Sequence, residues 1–141
     1  MDLRLVHPLF DRVRALELPP DTWVIFGSGP MIARGIIPLE NDLDIMCLPA
    51  TWDWARQFGP LDYLETEGVY VISIEDGAIT LGTGWAYGDI DVPELITRAD
   101  MIDGLPFAPL DAVVAYKKIA ARPKDALHLK LIDDYLAAGH L

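Results

Sequence analysis

The stretch Val24–Cys47, VIFGSGPMIARGIIPLENDLDIMC, decides how this chain is read. Val24-Ile25-Phe26 is a short apolar run of strand formers. It feeds Gly27-Ser28-Gly29, a turn signal, after which Pro30 opens a short helix ended by Gly35. Thirteen residues separate Ser28 from Asp42-Leu43-Asp44, the head of a second apolar strand running to Leu48. Carboxylates at i and i+2 of a strand project from one face, because strand side chains alternate. Like charges held side by side are costly unless a cation or a proton neutralises them. A divalent metal does so most simply, and Mg²⁺ favours oxygen ligands from one or two carboxylates plus phosphate. The Gly-Ser turn, at a helix start, offers backbone N–H groups to an anion.

Upstream, Leu5, Leu9, Val13 and Leu16 keep a helical period across residues 2–17, with Pro8 near the helix start and Leu18-Pro19-Pro20-Asp21 as its stop. Downstream, Thr51 reads as the N-cap of a helix from Trp52 to Phe58, ended by Gly59-Pro60. Tyr63 to Glu67 is compatible with a strand or a turn. Val69–Ile74 and Ala78–Leu81 flank Asp76-Gly77, a strong hairpin signal. A Gly-rich loop with Trp85 and Tyr87 precedes a strand expected over Asp89–Val92, and Pro93 opens a helix to Ala99. Leu105-Pro106-Phe107 is a brief extended piece. Two helices close the chain, Pro109 to Ala121 and Lys124 to Ala138, parted at Arg122-Pro123 and ended by Gly139. No repeat, linker or low-complexity tract divides the chain. The expectation is one α+β domain over residues 1–141, a mixed sheet flanked by helices with a C-terminal helical pair.

Composition narrows the classes. A 141-residue chain that is 52% hydrophobic can bury a real core. A net charge of −11 repels a phosphate backbone over most of the surface, so general nucleic-acid binding is not expected. Cys47 is the single cysteine, which rules out an intramolecular disulfide or a Cys-based zinc site. The charged N-terminus lacks the apolar core of a signal peptide, and no apolar run reaches the ~20 residues of a membrane span. The cytoplasm is the expected location. His7, His128 and His140 show no ligand spacing.

Asp91, between Ile90 and Val92, is a third acid in an apolar setting. With Asp42 and Asp44 it could hold two divalent ions that clamp the attacking and leaving oxygens of an in-line displacement. Asp89 competes with Asp91 for that place, since both flank Ile90.

The order Phe26-Gly27-Ser28, then Asp42-Leu43-Asp44-Ile45, then Ile90-Asp91-Val92 resembles the nucleotidyltransferase superfamily that includes DNA polymerase beta. The resemblance implies a nucleotidyltransferase-like sheet with the acids on neighbouring strands. The implied reaction is Mg²⁺-dependent (or Mn²⁺-dependent) transfer of NMP from an NTP, ATP being the expected one, to a hydroxyl of a small molecule or a protein. Asp42, Asp44 and Asp91 would then be the metal-binding and catalytic acids, and Gly27 and Ser28 would contact the triphosphate. Four of the eleven basic residues lie within Lys117–Lys124, in a segment similar to the K…RxKD helical pair of lincosamide-type and antitoxin-type single-domain members. Lys118, Arg122 and Lys124 are the candidates for the β- and γ-phosphates, and Asp125 is expected to cap the last helix or pair with Arg122. A chain this short leaves little room for an acceptor-binding domain, so the acceptor is small, or is delivered by a partner or a second protomer. Two rivals stand beside this reading: an antitoxin-like protein that neutralises a helical toxin-like partner, and a nucleotide-binding domain without turnover.

Overall fold

The computed structural model describes residues 8–38, 42–84 and 90–139. Over these described residues it is a mixed α+β fold: a seven-stranded sheet in the order β3-β4-β5-β2-β1-β7-β6, flanked by six helices. β1 (Trp23–Phe26) and β2 (Leu43–Cys47) run antiparallel at the centre. β5 (Ile79–Gly82) lies parallel to β2, and β7 (Leu105–Phe107) lies parallel to β1. The outer strands are antiparallel additions, β4 (Val69–Ile74) with β3 (Leu61–Leu64) on one side and β6 (Asp100–Ile102) on the other.

One face of the centre is apolar without interruption. Ile25 pairs with Ile45, Ile45 with Leu81, and Leu81 with Ile72, and all four are fully buried. Burial of each such side chain stabilises by about 1.5–3 kcal/mol, so this row fixes the register. Register on one face dictates the other. The complementary row reads Phe26–Asp44–Thr80–Ser73, polar from its second member onward. The Asp44 carboxylate is therefore aimed where the sheet is not packed shut.

The elements follow their local signals with three corrections. α1 is Pro8–Ala15 and α2 is Gly29–Ala33. The next helix, α3 (Pro49–Ala55), begins earlier than expected because Pro49 occupies its first turn. Thr51 is thus not a cap. It is buried inside α3 and shares a 2.6 Å hydrogen bond with the Thr22 hydroxyl. The strand expected over Asp89–Val92 is also corrected, within the part described. Val92–Thr97 is helix α4, and Asp91 is its N-cap. Asp89, Trp85, Tyr87, His7 and His140 lie outside the described residues. The third correction is β6, an unexpected strand that pairs with β7 around Asp103-Gly104. α5 (Leu110–Ala120) and α6 (Pro123–Ala137) form the C-terminal pair. Among the described residues no helix is long and apolar enough to cross a membrane.

Candidate functional site

The Gly-Ser turn joins β1 to α2 directly above Asp44. Phe26 is the register partner of Asp44, so Gly27 follows at the end of the ladder. Its φ of +61° is the left-handed region, and a Cβ placed there would meet Asp44 Oδ2 at 2.6 Å. Gly29 is constrained by packing instead, since its Cβ would lie 2.4 Å from Ile25 Cγ2. Two different contacts thus demand the two glycines. α2 itself has only five residues. Its dipole is correspondingly short, and the pull on an anion must come from elsewhere.

It comes from α5 and α6. One cavity is lined by Phe26, Gly27, Ser28, Asp44, Tyr116, Lys117, Arg122 and Lys124. It opens, through Asp44, Arg122 and Lys124, onto a polar groove of about 280 Å³ that also contains Asp42, Asp62, Glu67, Ser73 and Thr80. Of the residues expected from the sequence, Gly27, Ser28, Asp42, Asp44, Arg122 and Lys124 are brought together. Lys118 is not among those lining either cavity; it is exposed on the outside of α5. Lys117 takes its place, because the buried face of α5 carries Val113, Tyr116 and Lys117 at i, i+3 and i+4.

Asp91 does not join Asp42 and Asp44. Its carboxylate accepts the Glu94 N–H at 3.1 Å as the cap of α4, and it lines a neighbouring cavity with Ile90, Leu95 and Tyr116. On the other side of β2, the residue paired with Asp44 is Thr80 rather than an acid. No group of three or more His, Cys, Asp or Glu poised to hold a metal occurs among the described residues. The expected triad is thus a pair, with Asp62 and Glu67 as the further carboxylates of the same groove. Asp62 reaches it because it pairs with Val71, which shares a face with Ser73.

Beneath the cavity sits a buried ionic cluster. Asp125, with none of its surface exposed, accepts hydrogen bonds from Arg122 Nε at 2.8 Å, from an Arg122 terminal nitrogen at 3.2 Å and from the Arg122 backbone N–H at 2.9 Å. Asp125 therefore caps α6 and pairs with Arg122 at once. Lys117 Nζ lies 2.9 Å from His128 Nδ1 and 3.4 Å from Asp125 Oδ1, and an ammonium there can only donate. Burial pushes the Lys117 pKa down, and Asp125 partly restores it. Burial would raise the Asp125 pKa, but the Arg122 hydrogen bonds, then the Arg122 and Lys117 charges, outweigh that and hold it at about 2. Lys117, Arg122 and Lys124 line the cavity together with a single carboxylate, Asp44, while Asp125 below it pairs with Lys117 and Arg122. Such an arrangement favours a bound anion.

Two substitutions test this geometry. Gly27→Ala is expected to lower Tm by roughly 3–8 °C, the left-handed φ alone costing on the order of 1–2 kcal/mol, and to displace the Asp44 carboxylate. Lys117→Met is expected to leave stability within about 1 kcal/mol, since Arg122 still pairs with Asp125 and removal of a buried ammonium offsets the partner lost by His128. The same change should weaken binding of inorganic tripolyphosphate by about tenfold or more, because a hydrogen bond to a charged group is worth about 1.5–3 kcal/mol. Thermal melts and calorimetric titration of both variants read the two effects separately.

Comparison of the chain with protein-family models, with curated proteins and with solved structures yields no match in any of the three.

Proposed function

We propose that this protein binds a nucleoside triphosphate together with a divalent cation and transfers the nucleoside monophosphate to a hydroxyl acceptor. The observation that carries this reading is the shared lining of one cavity by the Gly27-Ser28 turn, Asp44, Lys117, Arg122 and Lys124, continuous with a groove that adds Asp42. A nucleotidyltransferase-like reading of the fold is supported by the antiparallel β1–β2 pair with the turn above the acid pair.

The donor set fits Mg²⁺ or Mn²⁺. Asp42 and Asp44 offer hard oxygens only, and the lack of a side chain at Gly27 lets the turn approach the Asp44 carboxylate closely. A cation bound there would neutralise triphosphate charge and polarise the α-phosphoryl group. Arg122 and Lys124 orient the anionic oxygens of the chain's outer phosphates, and Lys117 supports them from below. The acceptor oxygen forms a bond to the α-phosphorus as the bond to the β-phosphate bridge breaks. Pyrophosphate departs with the electron pair, and the hydroxyl proton passes to a carboxylate of the groove or to water. In such a transfer positioning and charge do most of the work.

A second reading, binding without transfer, is favoured by the position of Asp91 at the α4 cap and by Thr80 opposite Asp44. In it the bound ligand is presented to a protein, and the exposed Ile119 and Leu127 of α5 and α6 would form the surface for a helical toxin-like partner. Pyrophosphate release from labelled ATP separates the two. With Mg²⁺ and a panel of sugars, serine and Ser/Thr peptides as acceptors, transfer predicts release that Asp44→Asn abolishes. Metal-dependent ATP binding with no release across the panel supports the second reading instead.

A further inference from the structure

A second cavity adjoins the anion site and has a different character. It holds about 200 Å³ between α4 and α5, and it shares two wall residues, Phe26 and Tyr116, with the cavity of the Gly-Ser turn. Their rings stand edge to face, centroids 5.2 Å apart at 84°. The Arg122 guanidinium lies 5.8 Å from the Tyr116 centroid, so a phosphate-side cation and the aromatic wall are one unit. Beyond that wall the lining is apolar: Ile90, Leu95, Ala115 and Ile119. Its polar groups are the carboxylates of Asp91 and Glu94, the Arg98 guanidinium and, on the aromatic wall, the phenol of Tyr116. Arg98 is engaged, ion-paired to Glu94 at 3.3 Å and to Asp111. Glu94 is engaged by the same ion pair and Asp91 Oδ1 accepts the Glu94 N–H, so what the edge adds is the second oxygen of each carboxylate, both of them acceptors.

Resting on the triphosphate reading above, we infer that this cavity receives the nucleobase, and that it favours a base carrying an exocyclic amino group. Size supports one ring system and no more, since pockets for whole drug-sized ligands run about 300–1,000 Å³. Aromatic and aliphatic walls suit a flat heterocycle, and carboxylate oxygens on the rim accept from an amino group. Uracil has no exocyclic amino group to donate. The role of Asp91 is then base recognition from the α4 cap rather than metal binding.

The test compares ATP, UTP and inorganic tripolyphosphate by calorimetric titration in Mg²⁺, on the wild-type chain and on Ala115→Phe. Position 115 is exposed at the mouth of the cavity, so a phenylalanine fills the space without entering the core. Ala112→Leu, from the same helix face, serves if Ala115→Phe melts early. The wild type is expected to bind ATP at least tenfold more tightly than tripolyphosphate or UTP. Ala115→Phe should erase that advantage and leave tripolyphosphate affinity unchanged. Equal affinity for all three ligands, or an ATP advantage that survives both filled variants, overturns the base assignment while the phosphate site stands. Failure of the wild type to bind tripolyphosphate at all would overturn the triphosphate reading, and this inference with it.

Discussion

Asp125→Ala is expected to destabilise the protein by about 3–5 kcal/mol, the usual cost of removing one partner from a buried ion pair. Asp125 is the carboxylate that answers both Lys117 and Arg122, so its loss leaves buried positive charge uncompensated. It also removes the acceptor of the Arg122 backbone N–H at the start of α6. Against a typical total of 5–15 kcal/mol, the variant should melt more than about 10 °C lower. The same carboxylate sets an acid limit. Its folded pKa of about 2 lies below its ordinary 3.8. The stabilisation it gives is therefore complete above pH 4 and is lost as pH falls from there through about 2. That contribution is about 2 kcal/mol. Denaturant melts of wild type and variant at pH 6 and pH 2.5 read it directly: the gap between them should narrow at the lower pH. A gap that stays constant would show that Asp125 acts through shape alone.

Asp44→Asn is expected to remove the effect of Mg²⁺ on nucleotide binding while the fold persists. The substitution keeps the side-chain volume and one carbonyl oxygen beside Gly27, so stability without ligand should change by less than about 1 kcal/mol. A ligand at one hundred times its dissociation constant stabilises the native state by about 2.7 kcal/mol. With ATP and Mg²⁺ the wild type should gain that stabilisation and Asp44→Asn should not. Asp91→Asn is the informative control. It retains an oxygen to accept the Glu94 N–H and stands in the adjoining cavity, so the Mg²⁺-dependent gain with inorganic tripolyphosphate, which has no base for Asp91 to recognise, should survive it. Loss of the gain in Asp91→Asn would restore a metal-binding role to the third acid.

The parts of the fold written in local chemistry were legible in the sequence. The Asp76-Gly77 hairpin, the Gly-Ser turn, the acid pair and the C-terminal helices each carry their signal within a few residues. Other signals were present and lost to competing ones. Asp91-Val92-Pro93-Glu94 is an N-cap pattern, with acid, Pro in the first turn and Glu at the third position. The strand formers Ile90 and Val92 spoke louder. Asp103-Gly104 turns the β6–β7 hairpin as Asp76-Gly77 turns its own, but the flanking runs have only three residues each. Lys117 could have been told from Lys118 by helical spacing from Val113. Asp62 could not have been found locally, because only the pairing of β3 with β4 carries it to the groove.

The measurement that bears most directly on the site is the melting temperature of the wild-type chain with ATP, with Mg²⁺, and with both. Only the combination should raise Tm, and Asp42→Asn and Asp44→Asn should each cancel the rise. An equal rise with ATP in the presence of chelator, or one that persists in both variants, would contradict metal-dependent binding at this acid pair.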